Sequence, residues 1–261
     1  MRPLLVIACL LTSALPAPAD EVDTRVRERT TAVAADLGDG LLTTADEVIA
    51  AHVAAIGGAS ALRAVKTLAF RGRMQAPGPA ERYLHRYYRQ PDQLRVTWSP
   101  GGGAYTLCDG GEVWSVTPAG RRKQAAWWAR SLSHSRIDGN FLDYAERGIA
   151  HEYLGLEGFA SDLRVYYRLR RTFPDGFVED LYFDVETGLL HGVRPLNTPR
   201  QNDPMFYYDY RDVGGILVPH MWARTFAGAD PPHVLVMEEV RIDVDFDDGF
   251  FTDYLELPVL D

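Results

Sequence analysis

The sequence has almost no cysteine. Only Cys9 and Cys108 occur in 261 residues, which excludes a disulfide-stapled scaffold and any zinc site built from cysteines. It has no excess of positive charge: 27 Lys and Arg stand against 36 Asp and Glu, for a formal net charge of −9. A chain of that sign is a poor general partner for nucleic acid or for an anionic membrane surface. Several enzyme signatures are missing. There is no G-x-S-x-G elbow, no Walker loop and no H-E-x-x-H, and none of the seven histidines forms an H-x-H pair. Long apolar runs are missing too. The longest, residues 4–15, is too short to span a bilayer, so an integral membrane protein is not expected.

What is present at the N-terminus reads as an export signal. Arg2 precedes the apolar run, and Ala17-Pro18-Ala19 places small residues at the −3 and −1 positions before Asp20. We expect a cleavable signal peptide over residues 1–19 and a periplasmic or secreted product. A rival reading takes Val6-Ile7-Ala8-Cys9 as a lipobox with Cys9 as the lipid anchor, but the apolar region ahead of Cys9 is short for export. Loss of Cys9 would leave Cys108 alone, so stability must come from core burial, which a chain of this length supports. A monomer is expected.

Residues 20–42 are charged or small and read as a flexible leader or a loosely held helix. The domain proper is expected over residues 43–261. Thr44 and Glu47 fit a capping box, Val48, Val53 and Ile56 form an apolar stripe, and Gly57-Gly58 closes the helix. From Lys66 the period changes to two. Leu68, Phe70 and Met74 alternate with Ala69, Arg71 and Arg73; Leu94, Val96 and Trp98 alternate with Arg95 and Thr97. The same holds for Val165, Tyr167 and Leu169, and for Leu181 and Phe183, with only Glu179 interrupting the apolar face. Turn signals separate these runs: "PGGG", "CDGG", "FPDG", "ETG" and "VGG". Strands at such spacing build a large antiparallel sheet that curls. One segment breaks the rhythm. Residues 125–147 lack alternation and predict one or two helices with a break near Asp138-Gly139, lying across one face or mouth of the sheet.

The order of motifs resembles the bacterial outer-membrane lipoprotein-sorting and carrier superfamily, the LolA-like and LppX-like proteins. The matching pieces run from "ADEVIAAHVAAIGG" and "LRAVKTLAFRGRM" through "PDQLRV" and "LCDGGEVWSVTP". They continue with "EYLGLEGF", "DLYFDVETGLL" and "YYDYRDVGGILVPHMW" to "VLVMEEVRIDVDF". The resemblance implies a mainly β fold with helices (α+β): a strongly curved, unclosed antiparallel barrel wrapped around helices. It also implies an apolar cavity for acyl chains, with relatives that shuttle lipids or lipoproteins across the periplasm. Candidate lining residues are the large apolar members of the strand faces: Leu68, Phe70, Leu94, Val96, Trp98, Leu107, Trp114, Leu181 and Phe183. Trp127 and Trp128 are added as a candidate lid on the middle helix, where neighbours point about 100° apart.

Other constellations reduce to architecture. "DVDFDDGFFTD", residues 243–253, fails the calcium-loop pattern at Asp248, where glycine is needed, and at Tyr254, where a bidentate glutamate is needed. It reads as an acidic turn. Cys108 reads as a small buried side chain rather than a nucleophile. The arginines of "FRGR" and "LRVYYRLRR" read as the polar face of a sheet, their stems over tyrosine rings. Gly214-Gly215 sits between two alternating runs and reads as a hairpin turn; Pro219 then suggests an edge strand or a bulge. The expected function is a non-catalytic periplasmic carrier or binding protein for a lipid or lipoprotein acyl chains. Envelope transport proteins are expected as further partners, and neither cofactor, metal nor nucleic acid is expected. Two alternatives stay open: an envelope interaction protein on the same fold, and a hydrolase with a site assembled across strands.

Overall fold

The computed structural model describes residues 19–75, 81–124, 127–159, 164–198, 204–224 and 233–260. The chain divides into two compact units, Met1–Leu41 with Leu156–Val165, and Leu42–Gly155 with Tyr166–Asp261. The expected signal peptide lies outside the described residues up to Ala19. In the first unit the leader is helical over α1, Ala19–Leu37. The Thr30 hydroxyl donates back to the Val26 carbonyl. Gly158 comes so close to this helix that a Cβ there would lie 2.8 Å from Val26 Cγ1.

The second unit begins with α2, Ala45–Ala55. Its capping box is complete: the Glu47 N–H donates to Thr44 Oγ1, and the Glu47 carboxylate accepts from the Thr44 N–H. Gly57, at φ +117°, turns the chain from α2 into α3, Gly58–Ala64. A side chain is barred there, because a Cβ would stand 2.3 Å from the Gly215 carbonyl oxygen.

Thirteen strands follow among the described residues. They are β1 Thr67–Gln75, β2 Arg82–Arg89, β3 Gln93–Ser99, β4 Tyr105–Asp109, β5 Glu112–Thr117 and β6 Gly120–Lys123. After α4, Trp127–Ser133, come β7 Ala150–Gly158, β8 Val165–Thr172, β9 Val178–Asp184, β10 Leu190–Pro195, β11 Met205–Val213, β12 Ile216–Arg224 and β13 His233–Ile242. They form one sheet in the order β6-β5-β4-β3-β2-β1-β13-β12-β11-β10-β9-β8-β7. Two meanders therefore meet where the first and last strands pair, Leu68 opposite Ile242. The sheet does not close; β6 and β7 are its outer strands. The segment that joins them must pass from one edge of the sheet to the other.

Both faces of the first meander are covered. On the concave face Leu68, Phe70, Leu94, Val96 and Leu235 pack with Ala129 and Leu132 of α4 and with Ile137. On the opposite face Leu107 and Val116 pack with Phe251 and Tyr254 of the C-terminal segment. That segment also guards the β6 edge, where the Arg121 N–H donates to the Pro258 carbonyl and the Leu260 N–H to the Arg121 carbonyl.

The middle segment differs from the expected helices. Among its described residues α4 is the one helix, within the expected one or two but shorter, and residues 134–149 are turns, bends and irregular chain. Asn140 and Asp143 adopt positive φ, as do Gly139 and Gly148. The Asp138 carboxylate accepts from the backbone N–H groups of Asn140 and Leu142. A short acidic side chain that bonds its own backbone competes with helix, so a second helix does not start.

Gly214 and Gly215 do form a two-residue hairpin, at φ +63° and +91°, with Val213 opposite Ile216. Pro219 lies in a strand whose pairing with β13 is confined to Met221–Arg224, so its missing N–H breaks no bond of that ladder. Across the strand, Asp209 adopts φ +54°, and the register runs through it unchanged, with Tyr208 opposite Met221 and Tyr210 opposite Pro219, so no bulge accompanies Pro219 in this ladder.

Candidate ligand-binding site

Among the described residues, two cavities stand out on the concave face. The first, of about 250 Å³, lies between β1, β2 and β12 on one side and α2, α3 and the 131–141 segment on the other. Leu68, Phe70, Tyr88, Val218 and Trp222 give it an apolar wall, and Ser135, Arg136, Asp138, Arg171 and Glu179 a polar one. The second, of about 320 Å³, is the more apolar, with Met74, Leu84, Val96, Trp98, Leu132 and Leu235 in its walls. Arg86 and Trp222 belong to the walls of both. Each cavity is close to the low end of the size range of ligand pockets, roughly 300–1,000 Å³.

The polar wall is almost fully paired. Arg171 donates to Glu179 Oε1 at 2.8 Å from Nε and to the Gly139 carbonyl at 2.6 Å. Its guanidinium also lies 5.3 Å from the Phe141 ring and 5.1 Å from that of Phe173. Arg136 pairs with Asp138 and with Asp92, and Arg147 donates to Asn140 Oδ1. His134 pairs with Asp175 while stacking on Phe173 at 3.8 Å. Arg86 is the exception. Its one protein hydrogen bond goes to Ser135 Oγ at 3.1 Å, and no carboxylate pairs with it among the described residues. Phe70, Tyr88 and Trp222 surround it, with ring centres 5.9, 5.1 and 5.4 Å from its guanidinium carbon.

His52 on α2 borders the first cavity from behind. Its Nδ1–H donates to the Gly188 carbonyl at 3.0 Å, and its ring sits edge-on to Phe141 at 4.7 Å and Phe183 at 5.1 Å. Burial pushes its pKa down to about 4. The folded state thus favours the neutral ring, and the unfolded chain takes up the proton first as pH falls. The resulting loss of stability is absent above about pH 6.5, grows below it and levels off near pH 4, reaching ~3 kcal/mol. The stability gap between the wild type and His52→Gln is therefore expected to narrow from pH 7 to pH 4 in urea titrations. A gap that stays constant would show that His52 does not titrate this way. Cys108 is also governed by burial, which raises its thiol to about 12 and leaves no thiolate for chemistry.

No protein-family model and no curated protein matches this chain. Solved structures do. A LolA superfamily protein from Nitrosomonas europaea superposes with a TM-score of 0.58 at 16% identity, over 82% of this chain and 100% of its own. A DUF1329 family protein from Desulfovibrio piger gives 0.55 at 14%, over 78% and 95%. An outer membrane lipoprotein-sorting protein domain from Vibrio parahaemolyticus gives 0.51 at 12%, over 72% and 90%. The fold is LolA-like.

The LolA-like sheet separates the expected lining residues into groups. Leu68 and Phe70 border the first cavity, and Val96 and Trp98 the second. Leu94 is fully buried in the core cluster beside them. Leu181 and Phe183 share the face of Glu179, yet both are fully buried; Phe183 is packed beneath α2 as core, and neither borders either cavity. Leu107 and Trp114 are corrected. Leu107 pairs with Trp114 across the β4–β5 ladder, both on the face covered by Tyr254 and Phe251, away from the cavities. Trp127 and Trp128 open α4, and their side chains lie outside what is described. The sequence reading missed Arg86, Trp222, the Arg171–Glu179 pair and the Ser135–Asp138 wall. Glu179 had left a trace, as the one interruption of an apolar face.

Proposed function

We propose that this chain is a periplasmic carrier or binding protein for a lipid or for the acyl chains of a lipoprotein, held on the concave face of the sheet. The observation that carries this reading is the pair of apolar-walled cavities that meet at Arg86 and Trp222. A methylene exposed to water costs about 0.8 kcal/mol, so a soluble carrier needs an apolar space of this kind. The name given to the domain from Vibrio parahaemolyticus, an outer membrane lipoprotein-sorting protein domain, agrees with it. So does the absence, among the described residues, of a single helix long and apolar enough to cross a membrane. The reading is non-enzymatic: the described cysteine is buried, and the polar groups around the first cavity are mostly tied into ion pairs. An interaction protein on the same fold would have no need of unfilled space on this face.

Native mass spectrometry and lipid extraction on protein purified from its own host are expected to recover a bound acyl lipid. Uptake of cis-parinaric acid by delipidated protein, read by energy transfer from tryptophan, is expected as well, since Trp98 and Trp222 stand in the cavity walls. Recovery of no lipid together with no uptake of the probe would overturn the proposal.

A further inference from the structure

Arg86 is out of balance with its surroundings. It stands half-buried on β2, on the wall between the two cavities. A guanidinium carries five N–H donors, and only one finds a protein acceptor here, the Ser135 hydroxyl. Its Nε is buried with no hydrogen-bond partner. Ser135 in turn donates to the Ser131 carbonyl, so its oxygen is held in place to accept from Arg86. Among the charged residues lining the first cavity, Arg171 is matched by Glu179 and Arg136 by Asp138, which leaves Arg86 as the surplus positive charge. Leaving polar donors buried and unpaired is unfavourable, and a fixed cation among aromatic rings is most stabilised by an anionic acceptor.

We infer that Arg86 receives the anionic head of a single-chain amphiphile, a carboxylate or phosphate oxygen, while the acyl tail of that ligand occupies the apolar second cavity. This rests on the carrier reading and adds to it the class of cargo. The tail side is the cavity walled by Leu84, Val96, Trp98 and Leu235. The head side is the guanidinium and the Tyr88 and Trp222 rings beside it. Phosphate and carboxylate heads both fit the forked donors of arginine.

Three ligands with one tail separate the possibilities: dodecanoate, dodecyl phosphate and dodecanol, titrated below their aggregation limits and followed by tryptophan fluorescence. The wild type is expected to bind at least one of the two anions tenfold or more tightly than dodecanol. Which anion wins tells a fatty acid source from a phosphorylated headgroup. Arg86→Gln is expected to bring the anions within about threefold of dodecanol measured on the same variant, and Arg86→Lys to keep part of the preference. Equal binding of all three by the wild type would overturn the inference and leave the carrier reading intact, and this arm needs no variant to fold. Survival of the full preference in Arg86→Gln would overturn it too. Failure of all three ligands to bind would remove the carrier reading and the inference with it.

Discussion

Glu179→Ala is expected to lower the unfolding free energy by about 3–5 kcal/mol, the usual result of removing one partner of a buried ion pair. Glu179 and Arg171 are each 6% exposed. The substitution would leave the Arg171 guanidinium buried, with the Gly139 carbonyl as its remaining acceptor. Arg171 also holds the middle segment down through that same carbonyl, so the turns at 138–142 are expected to loosen with it. The double variant Arg171→Met with Glu179→Leu is expected to recover most of the loss, because two apolar side chains of similar size carry no desolvation cost. Urea titration at neutral pH measures both. A single variant within 1 kcal/mol of wild type, or a double variant no better than the single one, would contradict this view of the pair.

Phe183→Ala is expected to cost about 3–5 kcal/mol as well, for a different reason: it empties a filled site. Phe183 has no exposed surface, and its ring meets those of His52 and Phe141, at 5.1 and 5.7 Å. It is core, not cavity wall, so the variant should keep the ligand preferences of the wild type while its urea midpoint falls. Altered ligand preference with unchanged stability would place Phe183 in the site instead.

Local features were legible in the sequence because their causes are local. Thr44 and Glu47 lie three residues apart and bond each other, and Gly214-Gly215 supplies two positive-φ positions between strands. Alternation also showed which residues share a face. It did not show which face the helices cover. In most half-exposed sheets the apolar face is the inner one, but here the C-terminal segment buries the outer face of β4 and β5 too. Leu107 and Trp114 are as apolar as Leu94, and only the fold separates them. The site's charges were illegible for a similar reason. Arg86 sits in "RYLHRYYR", where it reads like the exposed Arg82 nearby. Arg71 does behave as expected of a surface arginine, lying over the Tyr83 ring at 4.1 Å. Arg86 points the other way, and its isolation is defined by acceptors that are missing, which no sequence pattern records.

The run of chain from β6 to β7 acts as a bowstring. The two outer strands belong to different meanders and share no ladder, yet they are tied by 26 residues of sequence, of which 127–149 are described and pack on the concave face through Ala129, Leu132 and Ile137. The edges can part only as far as that packed run yields, and it yields only by giving up contacts such as Arg171 to Gly139 and Arg86 to Ser135. The run that ties the two outer strands is therefore the same run that holds Ser135 against Arg86 and Gly139 against Arg171.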